Sequence, residues 1–579
     1  MKFAAKSLLL LITLAATYAF AQTANTPIKH VIVVIQENRT PDNLFQDINL
    51  VNAGGDIAYH GFGYCHLSGE TGHHNHQVTL KALSLASCDN PGHLHPDWQN
   101  MYEQGNMDGA CNNGTGTTCT TVPYPCPFGD HTKNCSQYTY VENTAQDPVV
   151  QPYWDIAEKY GFANYMFQTN QGPSFPAHQF LFGGSSVPVY PSDTHQNNSY
   201  FYHDNFVANN PVDPQNTNDK IPGDDTGCIT QYSTQSISWI DPGLNNWTPA
   251  YPFSYPCYDH ATLTDLLDNN QLGWKYYGRA KNTIWEAPTA ISHICVPGNG
   301  TSPGDICTGT EWRSNFAAVL PPSPPQNDAM AMVLEDIENC NLPAVSWVIP
   351  DGSWSDHGGK NSDFKGPFWA AAIVNAVGAG GNCDNPVGYW ADTVILVVWD
   401  DWGGYYDHVL PWGCDSSGTC TGYPNPTQND NGHQYVYGFR VPLLVVSAYT
   451  KPGYISGPCG QTGQHGCPNE QYQYVHDFGS ILNFIEYAFG TNGNYIGEIE
   501  PTYFYADHWA PDSYLGGLCP KSTCPYSLAD FFGGFATQYA FQSISLPSAF
   551  CNNQICYNAD WFENFNGTAT DPDDDAIDP

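Results

Sequence analysis

The chain has 579 residues, with 17 Lys and Arg against 56 Asp and Glu and a formal net charge of −39. That balance excludes nucleic acid as a partner and allows at most transient contact with an anionic lipid surface. A small anionic substrate would need local positive charge from something other than side chains, and a bound divalent cation would supply it.

The first residues, "MKFAAKSLLLLITLAATYAFAQ", combine Lys2 and Lys6 with a short apolar run and a small-x-small ending at Ala21. They read as a secretory signal peptide, 1–21, with a mature chain expected to be soluble and secreted or periplasmic. The 20 cysteines, none of them in a C-x-x-C, fit disulfides in an oxidising compartment rather than zinc knuckles. Cys414/Cys420, Cys459/Cys467, Cys519/Cys524 and Cys551/Cys556 are close enough in sequence to be local staples.

The first element after the leader is an apolar block at 30–36, "HVIVVIQ", which predicts a strand buried on both faces at the centre of a parallel α/β sheet. It stops abruptly at Glu37-Asn38-Arg39, and ligands of open α/β sheets sit beyond the carboxyl ends of the strands. Residues 60–95 hold seven histidines, including "HHNH" at 73–76, a loop able to bind metal adventitiously. His93 and His95 follow in "GHLHPDW", and a helix is expected over 150–160. "NQGPSFPAH" then places Ser174 in a tight turn that leads into a helix, where N–H groups suit phosphate oxygens. From the residues alone Ser174 is either an ordinary helix cap or a nucleophile.

Residues 185–325 are rich in Asn, Asp, Pro, Gly and Tyr and read as a loop-rich insertion tied down by Cys228, Cys257, Cys295 and Cys307. Helices are expected over 327–340 and 368–380, with a strand at 342–352 leading to His357. "DTVILVVWDDW" at 392–402 is a second central strand, and it ends in Asp400-Asp401 ahead of Gly403-Gly404 and Asp407-His408. If it lies beside the first strand, Glu37, Asn38, Asp400 and Asp401 converge, and hard oxygen donors in that number suit a divalent cation. A third strand at 439–449 and a helix at 478–490 complete one interrupted catalytic domain, 22–515. An extension with cysteines and an acidic tail follows at 516–579.

Taken together, "IKHVIVVIQENRTPDNLF", "GNMDG", "NQGPS", "WDDWGGYYDHV", "RVPLLVVSAY" and "HDFGSILNFIE" resemble, in order, the motifs of the bacterial phosphoesterase family of non-haemolytic phospholipases C and acid phosphatases. The resemblance implies an alkaline-phosphatase-like α/β/α sandwich with a mostly parallel sheet. It also implies hydrolysis of phosphate esters or phospholipid head groups through a phosphoserine. It makes Ser174 the nucleophile and Glu37, Asn38, Ser174, Asp400 and Asp401 the holders of one divalent ion, which could be Ca, Zn, Mg or Mn. His357 and His93 become catalytic histidines, and Asn38 and His408 substrate contacts, with Asp407 beside His408. The chain departs from the family pattern at Thr40-Pro41-Asp42-Asn43, where a usual histidine is absent, and at "VHDFGS", where His476 and Asp477 have no clear counterpart. Two other readings stand beside this one. A sulfatase or phosphonate-cleaving relative lacks its arginine after Pro176, and a catalytically silent binding module would keep the fold alone.

Overall fold

A computed structural model describes residues 23–64, 76–117, 134–145, 148–186, 259–278, 284–296, 307–318, 333–350, 354–359, 365–380, 388–418, 437–457, 474–501, 505–508 and 526–546, with short pieces at 207–208, 227–229, 239–240 and 257. The leader, residues 73–75 of the histidine-rich loop, Cys420, the three cysteine pairs beyond 458 and the acidic tail lie outside them.

Eight strands form the main sheet. In chain order they are β1 (His30–Gln36), β2 (Gly161–Ala163), β3 (Trp274–Gly278), β4 (Phe316–Ala318), β5 (Val345–Val348), β6 (Thr393–Trp399), β7 (Leu443–Ser447) and β8 (Tyr454–Ser456). Their order across the sheet is β4-β3-β5-β1-β6-β7-β2-β8. Strands β1 and β6 are neighbours, running parallel with Gln36 opposite Trp399, so both expected central strands end at the same sheet edge. Every residue of β6 is buried, as is β1 beyond His30, so side chains on both faces are covered and a near-continuous apolar run is what such a position requires.

Two features were not read from the sequence. Strand β7, expected as a central strand with no direction assigned, runs antiparallel to both β6 and β2. A run such as Leu443–Ser447, buried throughout, carries no sign of its direction, because connection geometry rather than composition sets it. The segment read as loop-rich, 185–325, supplies β3 and β4, parallel strands at one edge of the sheet. Both are short, and "WKYYG" shows no alternation of polar and apolar residues that would mark it. The disulfides Cys228–Cys257 and Cys295–Cys307 staple that same segment.

The helices that matter for the site are α1 (Pro41–Leu44), α2 (His95–Tyr102), α3 (Gln151–Lys159), α4 (Ser174–Gly183), α5 (Lys365–Ala379) and α6 (Phe478–Ala488). Helix α3 packs with α5, and α4 with α6. The expected helix at 327–340 is seen as Val333–Glu338, with its first part outside the described residues. Residues 526–546 return to the core, burying Phe531, Phe532 and Ile544 and passing the Tyr539 N–H to Ala448 O at 2.6 Å. No helix among the described residues is long and apolar enough to cross a membrane.

Candidate active site

The carboxyl ends of β1 and β6 place Glu37, Asn38, Asp400 and Asp401 side by side, all fully buried. The turn after β1 is tight: Asn38 has a φ of 59°. Gly403 approaches so closely that a Cβ there would lie 2.2 Å from Asn38 O, which is why glycine follows the acidic pair and its tryptophan. The Asn38 N–H donates to Asp400 Oδ1 at 3.0 Å, locking one turn to the other. Thr40 then caps α1 and donates to Tyr406 O at 3.0 Å, while Asp401 Oδ1 accepts from Gly403 N–H at 2.6 Å.

Ser174 is the first residue of α4, preceded by Pro173 in the cap position. Its hydroxyl is turned away from its own helix and lies 3.3 Å from Glu37 Oε2, 3.4 Å from Asn38 Oδ1 and 3.2 Å from Asp401 Oδ2. It is therefore not an ordinary capping serine. A hydroxyl carries one proton, so it can satisfy only one of these three oxygens at a time. Asp400 Oδ2 is likewise buried and makes no hydrogen bond among the described residues. A buried carboxylate oxygen without a partner is costly, and this donor set fits a divalent cation.

Histidines line the other side of Asn38. His93 Nδ1 is 2.7 Å from Pro91 O and His357 Nδ1 is 2.6 Å from Gly358 O, so each Nδ1 donates to a carbonyl and each Nε2 faces inward. The outward amide atom of Asn38 lies 3.2 Å from His93 Nε2 and 2.8 Å from His357 Nε2. Two neutral rings accept there from the Asn38 NH2, which leaves the amide oxygen pointing at the carboxylates, where a cation would hold it. Two imidazolium rings would instead donate to an outward oxygen, and the NH2 would then reach Asp400 Oδ1 at 3.0 Å and Asp401 Oδ2 at 3.1 Å.

His357 is held by its neighbours. Gln36 bridges Trp354 O and the Asp356 N–H, both at 3.0 Å, and Arg39 Nε donates to Asp356 O at 2.8 Å. Burial pushes the Asp356 carboxyl up to about 6. The insertion brings Trp285 to within 5.9 Å of the His357 ring, and Trp402 lies 6.3 Å from His93, so aromatic walls flank the pair.

Not every expected residue joins this cluster. His95 donates to Gln171 O at 3.0 Å and stacks on Trp98, and burial lowers it to about 4. His408, expected among the substrate contacts, instead bonds Asp42 at 2.8 Å and Asp56 at 3.2 Å. Burial alone would lower it, but Asp42 and Asp56 carry it up to about 10. Asp407 forms a two-pronged pair with Arg440 at 2.9 and 3.0 Å in the same network. His476 is 2.7 Å from Ser456 Oγ, and Asp477 caps α6.

His178 was missed by the sequence reading. It lies one helical turn after Ser174, fully buried, with Nε2 2.8 Å from Glu37 Oε1 and 3.7 Å from Asp400 Oδ2. The only signal was the four-residue spacing in "SFPAH", which puts both side chains on one face of a helix.

The fold and this cluster define an α/β protein with a serine set among acidic cation donors. The chain belongs to the Phosphoesterase family, whose model matches residues 28–492. It is similar to the non-hemolytic phospholipase C of Pseudomonas aeruginosa, 29% identical over 27% of this chain and 21% of that protein. Phospholipase C B of Mycobacterium tuberculosis is 30% identical over 37% of this chain and 40% of that protein. The hemolytic phospholipase C of P. aeruginosa is 25% identical over 43% of this chain and 30% of that protein. The matched regions span less than half the length of these relatives.

Proposed function

We propose that the protein is an exported phosphoesterase of the phospholipase C or acid phosphatase type that uses Ser174 as its nucleophile. The observation that carries this reading is the Ser174 hydroxyl, 3.3 Å from Glu37 Oε2 and 3.2 Å from Asp401 Oδ2 at the ends of two adjacent central strands. In the reaction, the Ser174 hydroxyl gives its proton to a neighbouring carboxylate, Glu37 or Asp401, and its Oγ bonds to phosphorus opposite the ester oxygen, whose bond to phosphorus breaks as that oxygen takes up a proton. Water then attacks this phosphorus, the bond to Ser174 Oγ breaks, phosphate from a monoester or a phosphomonoester from a diester leaves, and the hydroxyl is restored. The Nε2 atoms of His93 and His357 face the phosphoryl oxygens, and a protonated ring can supply the leaving group's proton. Glu37, Asn38, Asp400 and Asp401, with Ser174, would hold one divalent ion, which when bound favours the serine alkoxide and offsets charge on the phosphoryl oxygens. The chain is read as one catalytic domain over 22–515 with a C-terminal extension, entering an extracytoplasmic compartment after cleavage near Ala21.

The test is release of nitrophenol from nitrophenyl phosphate and from nitrophenyl phosphorylcholine, with and without chelator. Turnover of the diester places the protein with the phospholipases C, and turnover of the monoester alone makes it a phosphatase. A metal-loaded, folded protein that hydrolyses neither would be the binding module instead.

A further inference from the structure

We propose that His178 is itself a ligand of the ion at this site, and that its imidazole nitrogen turns an oxygen site suited to Ca2+ or Mg2+ into one that favours a borderline first-row ion such as Zn2+. The proposal rests on the reading above only in taking the cluster to bind a cation.

The geometry around Glu37 supports it. This carboxylate divides its oxygens, Oε2 toward Ser174 at 3.3 Å and Oε1 toward His178 Nε2 at 2.8 Å. A histidine that only oriented Glu37 would account for the second contact, but not for Asp400. Asp400 Oδ1 is taken by the Asn38 N–H, while Oδ2, without a hydrogen bond, lies 3.7 Å from the same His178 Nε2. That separation is too long for a hydrogen bond. It does fit two donors sharing one ion, because bonds of about 2.0–2.2 Å set neighbouring ligand atoms roughly 3–4 Å apart. Donor atoms of Glu37, His178 and Asp400 all lie within 4.8 Å of one another, and all three residues are buried. Helix α4 is therefore expected to bring two donors to the ion from one face, the Ser174 hydroxyl and the His178 imidazole. Carboxylate and carbonyl oxygens suit Mg2+ and Ca2+, whereas imidazole suits Zn2+ and its neighbours.

The experiment is a direct binding titration of chelator-stripped protein with Zn2+, Ca2+ and Co2+, comparing the wild type with His178→Gln and His178→Asn and using circular dichroism to confirm folding. The expected result is a fall in Zn2+ affinity of about 100-fold or more with little change for Ca2+, together with a shift in the visible bands of bound Co2+. Adventitious ions on the histidine-rich loop cancel in the comparison. An unchanged Zn2+ to Ca2+ ratio, or a Co2+ spectrum identical to the wild type, overturns the proposal. If both variants unfold, the Co2+-loaded wild type decides by pulsed electron resonance, read against Ser174→Ala and a protein with His73, His74 and His76 replaced: imidazole nitrogen coupling persisting in both supports the ligand, and its absence overturns it. None of these measurements uses turnover, so a wild type that binds Zn2+ through His178 but hydrolyses nothing would break the functional reading and leave this one standing.

Discussion

Two clusters of acids lie beyond the ends of β1 and β6, and they resolve their charge in opposite ways. In the first, Asp42, Asp56 and Asp407 meet two resident cations: Arg440 holds both oxygens of Asp407, and His408 bridges Asp42 and Asp56. In the second, Glu37, Asp400 and Asp401 face a serine hydroxyl, an amide and the His178 ring, and among the described residues one oxygen of Asp400 has no hydrogen bond. The first cluster is complete as folded and braces the turn after β6. The second is arranged to receive charge from outside the chain. Buried acids are therefore uninformative by themselves, and what separates a brace from a site is whether the fold also supplies the counter-charge.

The largest effect expected from this contrast is on chemistry. Ser174→Ala should reduce turnover of nitrophenyl esters about a thousand-fold or more while leaving the circular dichroism spectrum and melting temperature near wild type. Substantial residual turnover in that variant removes serine from the nucleophile's role.

Next in size is the brace. Arg440→Met leaves Asp407 and Asp42 buried without their guanidinium and should destabilise the fold by about 3–5 kcal/mol, read by denaturant titration. A loss under about 1 kcal/mol would show that the network is hydrated and not structural.

Smaller, and opposite in sign, is Asp400→Asn. In chelator it relieves repulsion among the clustered acids and should raise stability by about 1 kcal/mol, while cation affinity falls. The matching Asp407→Asn change should lower stability under the same conditions. If both variants shift the melting temperature in one direction, the distinction between the clusters fails.

The brace also sets a pH dependence. His408 rises from an ordinary 6.5 to about 10 in the folded chain, so the folded state binds its proton more tightly than the unfolded state. Its stabilisation is complete below pH 6.5 and is lost as pH climbs toward 10, so stability should decline across that window. His408→Gln should flatten the decline, and an unchanged slope would assign it to other groups.

The sequence by itself determined the parts of this protein whose signals are local. The apolar runs 30–36 and 393–399 read as strands buried on both faces, and Glu37-Asn38 and Asp400-Asp401 end them abruptly. Once the strands are neighbours, those acids must meet. That Ser174 opens a helix was legible because Gly-Pro before it and Pro176 after it mark such a turn, although the turn alone does not separate a cap from a nucleophile. The tertiary structure decided what depends on partners distant in sequence. It set the direction of β7, which its composition does not encode, and recruited β3 and β4 to the sheet from a segment with no periodicity of its own. His408 went to the brace because Asp42 and Asp56, more than 350 residues away, close around it, and His178 joined the site because α4 is laid against Glu37. A histidine reads the same in every sequence. Its role is fixed by the charges the fold places beside it.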